Sequence, residues 1–285
     1  MYSSRRFSGA ITLPAGLLAV LVFAVVAFSV SCGNTTPMFA ASTTGLIEGL
    51  ESGKTRVIDL THALNSKTPY WPGEGNRAFS YEYFTSLEKD GVLEGHFTMD
   101  EHTGTHFDAP NHFVAGQTPV DKIPAERLFV PVIVIDVRSK AAQNPDYLLS
   151  ASDVVDWEKA HGRVPKNAMV MMYSGWESRW DDFAAYKNAD PKGRLHFPGF
   201  SQEAAKLLVD RRDIAGLGID ALSIDYGMSP DFPSHLISHG KGKFNLENVA
   251  NLGQLPPVGA FLIVAPIKIE NGTGGPVRLF ALVRN

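Results

Sequence analysis

The stretch Glu101–Phe113 reads EHTGTHFDAPNHF and places three histidines and an aspartate, His102, His106, Asp108 and His112, at offsets of four, two and four residues. Imidazole and carboxylate at this density have the look of metal ligands, and together they suit borderline divalent ions such as Zn²⁺ or Mn²⁺. No cysteine lies nearby, which argues against a closed structural zinc site. Three protein ligands would leave a position open for water, which a bound ion can activate. The plainer reading is a polar surface loop, because a single histidine is more often structural than ligating. Four such groups within eleven residues weigh against it.

All four residues fall on even positions, so a flat strand would put them on one face. Four residues of extended chain, however, separate His102 from His106 by roughly 13 Å, so one ion can bridge them only if the chain bends. Gly104 permits that bend through a bulge or a turn with positive φ, and Pro110 fixes φ just beyond Asp108. A helix would pair His102 with His106 but turn Asp108 away, and the β-branched Thr103 and Thr105 around a glycine disfavour it. The expectation is a kinked strand that delivers two imidazoles and a carboxylate to one point.

HTGTHFDAPNH also resembles the H-x-G-T-H-x-D-x-P-x-H signature of the cyclase family of metal-dependent hydrolases, which includes bacterial kynurenine formamidase (arylformamidase) and isatin hydrolase. The likeness runs from about Arg56 to the C-terminus. It takes in PYWPG at Pro69–Gly73, LGIDALSID at Leu217–Asp225, and Ser234-His235 followed by Glu247-Asn248. The resemblance implies an α/β fold of the swivelling β/β/α kind, strand-rich with flanking helices, in a single domain. It implies one metal held by His102, His106 and Asp108, and a second metal-side set of His112, His235 and Glu247, hence one or two ions of Zn or Mn. His112 and His235 are the catalytic candidates, and Trp71, Phe107 and His239 the candidates for the substrate pocket, Trp71 mainly through the resemblance. It also implies a small-molecule amide substrate, and a homo-oligomer, a dimer, is expected. Without the resemblance His235 and Glu247 would be unremarkable, because twelve residues of separation is no local motif.

The rest of the chain must position these groups. At 285 residues, 44% hydrophobic and 20% charged, its composition is that of an ordinary globular protein with a sizeable core. A net charge of −4, with no basic run after the first six residues, leaves no footprint for nucleic acid. Arg5 and Arg6 precede an apolar run from about Ala10 to Val30, so residues 1–31 read as a signal peptide or a membrane anchor. Cys32, the only cysteine, has no disulfide partner and stands where a lipoprotein signal would place its acylated residue. Residues 32–54 read as a flexible tether and 55–285 as the catalytic domain, in a protein exported to the envelope or periplasm. The competing class is an envelope metal- or ligand-binding lipoprotein without turnover.

Strands are expected at Arg56–His62, Phe79–Thr85, Gly95–Asp100, Phe129–Val137, Ala168–Tyr173, Gly216–Ile224, Phe261–Ile269 and Val277–Val283. The apolar run FVPVIVIDV is that of a strand covered on both faces. Ser152 is expected to cap a helix over Asp153–Ala160 that Gly162 ends, and Ser201 one that runs through Arg212. Trp176–Phe200 is rich in aromatics without periodicity and reads as a long irregular segment, functional or packed on the core. Gly272-Thr273-Gly274-Gly275 has the look of a phosphate loop, but Pro276 opens a strand, so a hairpin turn is expected. Asp220 and Asp225 end a buried strand, where either could orient a ligand histidine or cap a turn. There is no G-x-S-x-G, so covalent catalysis is disfavoured.

Overall fold

A computed structural model describes residues 43–285, so residues 1–42, with the targeting segment and Cys32, lie outside the described residues. In chain order the helices and strands begin with α1 (Thr43–Glu51), β1 (Thr55–Asp59), β2 (Ser80–Tyr83), α2 (Leu87–Asp90), β3 (Gly95–Thr98) and β4 (His106–Asp108). There follow β5 (Phe129–Asp136), α3 (Arg138–Gln143), β6 (Leu148–Leu149), α4 (Ala151–His161), β7 (Met169–Tyr173), α5 (Phe183–Lys187) and β8 (Gly199–Phe200). The chain ends with α6 (Gln202–Lys206), β9 (Gly216–Ile219), α7 (Pro233–Gly240), β10 (Phe244–Glu247), β11 (Ala260–Pro266) and β12 (Gly274–Arg284). The helix α1 occupies part of the segment that the sequence suggests is a tether.

Seven strands pair in the order β12-β11-β5-β7-β9-β10-β4, and β4 pairs back onto β12, which closes a barrel. The length of β12 makes this possible: one edge pairs with β11, while the other is shared by β4 at Gly274–Pro276 and by β1 at Phe280–Arg284. The pairs β5–β7, β7–β9 and β9–β10 are parallel, and the pairs β11–β5, β11–β12, β12–β4 and β10–β4 are antiparallel.

Alternation along the strands explains the continuous apolar runs. Val132, Val134, Met169 and Met171 fill one buried cluster with Phe107, Phe244, Leu246 and Leu279. Ile133, Ile135, Val170 and Met172 face a second cluster, built with Val154 and Trp157 of α4, Ala204 and Ala205 of α6, and the aromatics of the 176–200 segment. A strand covered on both faces needs apolar residues at every position, each worth about 1.5–3 kcal/mol of burial. The irregular segment therefore packs on the core: Trp176, Trp180, Tyr186, Phe197 and Phe200 are all buried.

Several boundaries differ from expectation. The cap of α4 is Ser150, not Ser152: the Ser150 hydroxyl accepts from the Asp153 N–H at 3.2 Å while the Asp153 carboxylate accepts from the Ser150 N–H at 2.7 Å, a reciprocal pair that Ser152 could not form. Ser201 does cap α6, but the helix passes into a π-helix at Leu207–Arg212. Strand β9 stops at Ile219, five residues short, because Asp220 and Asp225 turn inward to bind backbone and side-chain donors. The helix α7, which carries His235, has no counterpart among the expected elements.

Candidate metal centre

The short strand β4 sits between β10 and β12, with His106 opposite Glu247 on one side and opposite Pro276 on the other. The bend that brings His102 back toward His106 occurs at Gly104, whose φ is +69°, the left-handed region that glycine enters without strain. A Cβ there would also lie 2.6 Å from Leu64 Cδ2. Beyond Gly104 the strand alternates, so His106 and Asp108 share one face and Phe107 takes the other.

On that face the ligand atoms converge. Asp108 Oδ1 lies 2.7 Å from His102 Nδ1 and 3.2 Å from His106 Nε2, and Asp108 Oδ2 lies 3.4 Å from His235 Nε2. Glu247 faces the same point from β10, with Oε1 3.1 Å from His235 Nε2 and Oε2 3.4 Å from His106 Nε2. Two groups of three result, His102 with His106 and Asp108, and Asp108 with His235 and Glu247, so Asp108 belongs to both. Asp108 and Glu247 are almost wholly buried, as are His106 and His235.

These residues fit a divalent cation. His106 Nδ1–H donates to the Gly104 carbonyl at 2.9 Å and His235 Nδ1–H donates to Asp225 Oδ2 at 2.7 Å, so in each neutral ring Nε2 carries a lone pair and faces carboxylate oxygens. Lone pairs in that arrangement require a proton or a cation between them. Asp108 Oδ2 is moreover buried without a hydrogen-bond partner, although a buried carboxylate oxygen ordinarily has one. Imidazole with carboxylate is the donor set of zinc and manganese rather than of a closed thiolate site.

Without an ion the cluster recruits protons. Burial opposes a charge on His106, but Asp108 and Glu247 outweigh it and lift its pKa to about 10; His235 is raised for the same reason, and Asp108 is held well below the usual carboxylate range. Both histidines thus bind protons at neutral pH that an incoming ion must displace. Metal uptake at pH 7 is expected to release about one to two protons per ion, and affinity to fall as the pH is lowered. Titration of metal-free protein in weak buffer with a pH indicator measures this, and uptake without proton release would contradict the protonation of the cluster.

The backing of the cluster settles which aspartate does what. Asp225 accepts from His235 Nδ1–H and also from the backbone N–H groups of Ser234 and His235, which fixes the ring to the start of α7. Asp220 instead accepts from the Ser174 N–H and hydroxyl, and burial raises its pKa. Asn248, in the left-handed region at φ +53°, donates from Nδ2 to the same Gly104 carbonyl that holds His106. Its Oδ1 accepts from the Tyr186 hydroxyl at 2.9 Å. Tyr186 lies inside the irregular aromatic segment, where no sequence signal separates it from its neighbours.

His112 belongs to neither group of three. Its ring stacks on His102 at 3.8 Å and lies 6.2 Å from His235, and burial pushes its pKa down to about 4, which keeps it neutral. A cavity of about 270 Å³ opens over the cluster, with His112, Trp71, Phe113 and Phe232 in its wall. Phe232 is held in the left-handed region at φ +49°, a strained conformation for an aromatic residue, just before Pro233 opens α7. Two pocket candidates are elsewhere. Phe107 alternates away from the cluster and stacks on Phe244 at 4.8 Å, wholly buried. His239 is wholly buried behind the site, one helical turn beyond His235, with Nε2 against the Asn245 side chain.

The Cyclase family model matches residues 58–226 of the chain. An isatin hydrolase of Roseibium aggregatum is 38% identical over 256 residues, covering 84% of this chain and 96% of that protein. A kynurenine formamidase of Salinibacter ruber is 26% identical over 225 residues, 78% of this chain and 95% of that protein. Among solved structures, isatin hydrolase A from Labrenzia aggregata bound to benzyl benzoate superposes with a TM-score of 0.81 at 40% identity, covering 86% of this chain and all of that one.

Proposed function

The chain belongs to the cyclase family of metal-dependent hydrolases, and from that premise we propose that it hydrolyses the carbon–nitrogen bond of a cyclic aryl amide of the isatin kind. It is a hydrolase of non-peptide amide bonds, related to isatin hydrolase and to kynurenine formamidase. The observation that carries the proposal is the pair of three-ligand groups sharing Asp108 at the floor of a cavity walled by Trp71, Phe113 and Phe232. The cofactor is a divalent ion; we propose zinc or manganese, as one ion or two.

His102, His106 and Asp108 would hold one ion, and Asp108, His235 and Glu247 a second. When bound, such an ion supplies Lewis acidity toward the substrate carbonyl and lowers the pKa of water toward 7. Trp71, Phe113 and Phe232 would line the space for a fused ring with apolar surface. His112, neutral and placed over His102, is the group positioned to take a proton from the attacking water and return it to the departing nitrogen. The His235 ring is held on both sides, by Asp225 and by the carboxylates, so it serves as a ligand while His112 moves the proton. Hydrolysis adds water across the C–N bond and yields a carboxylic acid and an aryl amine, the acid releasing a proton at neutral pH.

The test is turnover of isatin and of N-formyl aryl amines by protein loaded with zinc or manganese. Faster hydrolysis of the cyclic amide is expected. Preference for the formamide would move the proposal to the kynurenine formamidase side, and a bound ion with no turnover of either would favour the binding protein without catalysis.

We propose further that the protein works as a dimer. Strands β2 and β3 form a two-stranded ribbon, and Tyr81, Tyr83, Phe84 and Phe97 on it are about half exposed or more. Such a ribbon is marginal alone and such a patch marks a contact surface, so a second copy is the proposed cover, which sedimentation would read as twice the chain mass. Export to the envelope, with Cys32 lipidated or residues 1–31 retained as an anchor, is proposed from the N-terminal sequence alone. Among the described residues no helix is long and apolar enough to cross a membrane. Fractionation of cells separates membrane-bound from released protein.

A further inference from the structure

His102 enters the cluster differently from the other two histidines. Its Nδ1 stands 2.7 Å from Asp108 Oδ1, and its Nε2 stands 3.0 Å from Thr273 Oγ1. The Thr273 hydroxyl in turn donates to Glu101 Oε2, which also accepts from the Thr273 backbone N–H at 3.2 Å. A hydroxyl has a single hydrogen to donate. With that hydrogen committed to the Glu101 carboxylate, Thr273 Oγ1 can meet His102 only as an acceptor, so Nε2 must carry the ring hydrogen. Nδ1 is then bare and faces the carboxylate oxygen of Asp108, the same confrontation of lone pairs seen at His106 and His235.

We propose that Glu101 and Thr273 are positioning residues that fix His102 in its Nε2–H form and make Nδ1 its ligating atom. This is the reverse of His106 and His235, whose Nδ1–H groups are tied to Gly104 and Asp225 and which present Nε2. The arrangement gives each of the three imidazoles its own acceptor, a backbone carbonyl, a carboxylate, or a carboxylate acting through a hydroxyl, and each acceptor sets the ring's orientation and strengthens it as a donor to the ion.

The turn that superficially matches a phosphate loop is shaped for this purpose. A Cβ at Gly274 would lie 2.5 Å from His102 Cε1 and 2.3 Å from the Phe107 carbonyl oxygen, so only glycine lets the turn approach the ring. A Cβ at Gly272 would lie 3.0 Å from Glu101 Oε1. Thr273 also accepts from the Ala109 N–H through its carbonyl at 2.8 Å, so the hydroxyl is carried on backbone anchored beside Asp108. The stack of His112 on the other ring face leaves His102 little freedom to turn.

The inference rests on the metal-centre reading, and the experiment separates the two. In zinc-loaded protein labelled with ¹⁵N-histidine, a long-range ¹H–¹⁵N correlation is expected to show His102 metal-bound at Nδ1 and protonated at Nε2, with His106 and His235 the other way round. Thr273→Val keeps the shape and removes the hydroxyl. It is expected to weaken zinc retention against a competing chelator by about 10–100-fold. Thr273→Ser is expected to restore it, with the three metal-free proteins melting together. Protonation of His102 on Nδ1 would overturn the inference while leaving the metal centre standing, as would a Thr273→Val protein that holds zinc like the parent. Wild-type protein that takes up no metal would overturn both. Should Thr273→Val fail to fold, the wild-type spectrum decides alone.

Discussion

Asp108→Ala is expected to leave the protein unable to hold either ion and to lower hydrolysis by at least about 1,000-fold, well beyond the 10–100-fold that loss of an outer partner of a ligand costs. The reason is its place in the cluster. Its Oδ1 serves the His102 and His106 side and its Oδ2 the His235 side, so one substitution removes a donor from both groups of three. Glu247→Gln removes charge from one group only and is expected to cost at most the ion held with His235. Metal analysis of the two variants beside the parent reads the difference: near zero for Asp108→Ala, and about one ion per chain for Glu247→Gln if the parent binds two. A full complement of metal in Asp108→Ala would show that the carboxylate does not join the groups and would remove the basis of the proposed mechanism. Removing the carboxylate also takes from His106 and His235 a partner that offsets their buried charge, so the metal-free variant is expected to be less stable than the parent, and its thermal unfolding is measured beside the metal analysis.

Gly216→Ala should be the most damaging single methyl group in the barrel. Gly216 of β9 is the register partner of Phe244 on β10, and a Cβ there would lie 1.8 Å from the Phe244 carbonyl oxygen and 3.2 Å from Met169 Cε. The first neighbour is backbone and cannot rotate away, so the strands must part, at a cost of about 3 kcal/mol or more. For a domain of this size that lowers Tm by about 6–12 °C. Gly240→Ala at the end of α7 meets nothing within 4 Å and serves as the control, with a change of about 0.5 kcal/mol or less. Thermal unfolding of the metal-free proteins compares them. A Tm for Gly216→Ala equal to that of the control would mean that β9 and β10 are not held at the spacing that positions Glu247. The consequence for the site is direct, because β10 carries Glu247 opposite His106.

The sequence by itself determined what is local. His102, His106 and Asp108 are delivered by seven consecutive residues, and the reach of an extended chain requires a bend between the two histidines, which Gly104 supplies at φ +69°. Apolar runs at Phe129–Val137 and Ala168–Tyr173 announced doubly covered strands, since that pattern depends only on which faces are buried. What the tertiary structure alone decided is every relation between distant segments. His106 faces Glu247 through a strand register spanning about 140 residues, Asp108 is shared because α7 brings His235 to its second oxygen, and Asp225 rather than Asp220 backs that ring. Phe107 was legible as a neighbour of two ligands but not as a core residue, because the closure of β4 onto β12 decides which face of a three-residue strand looks inward. The same closure turns Gly272–Gly275 into the support of His102. Local spacing fixes what a segment can present, but which side it presents, and to what, follows from pairings whose energy comes from burial across the whole barrel.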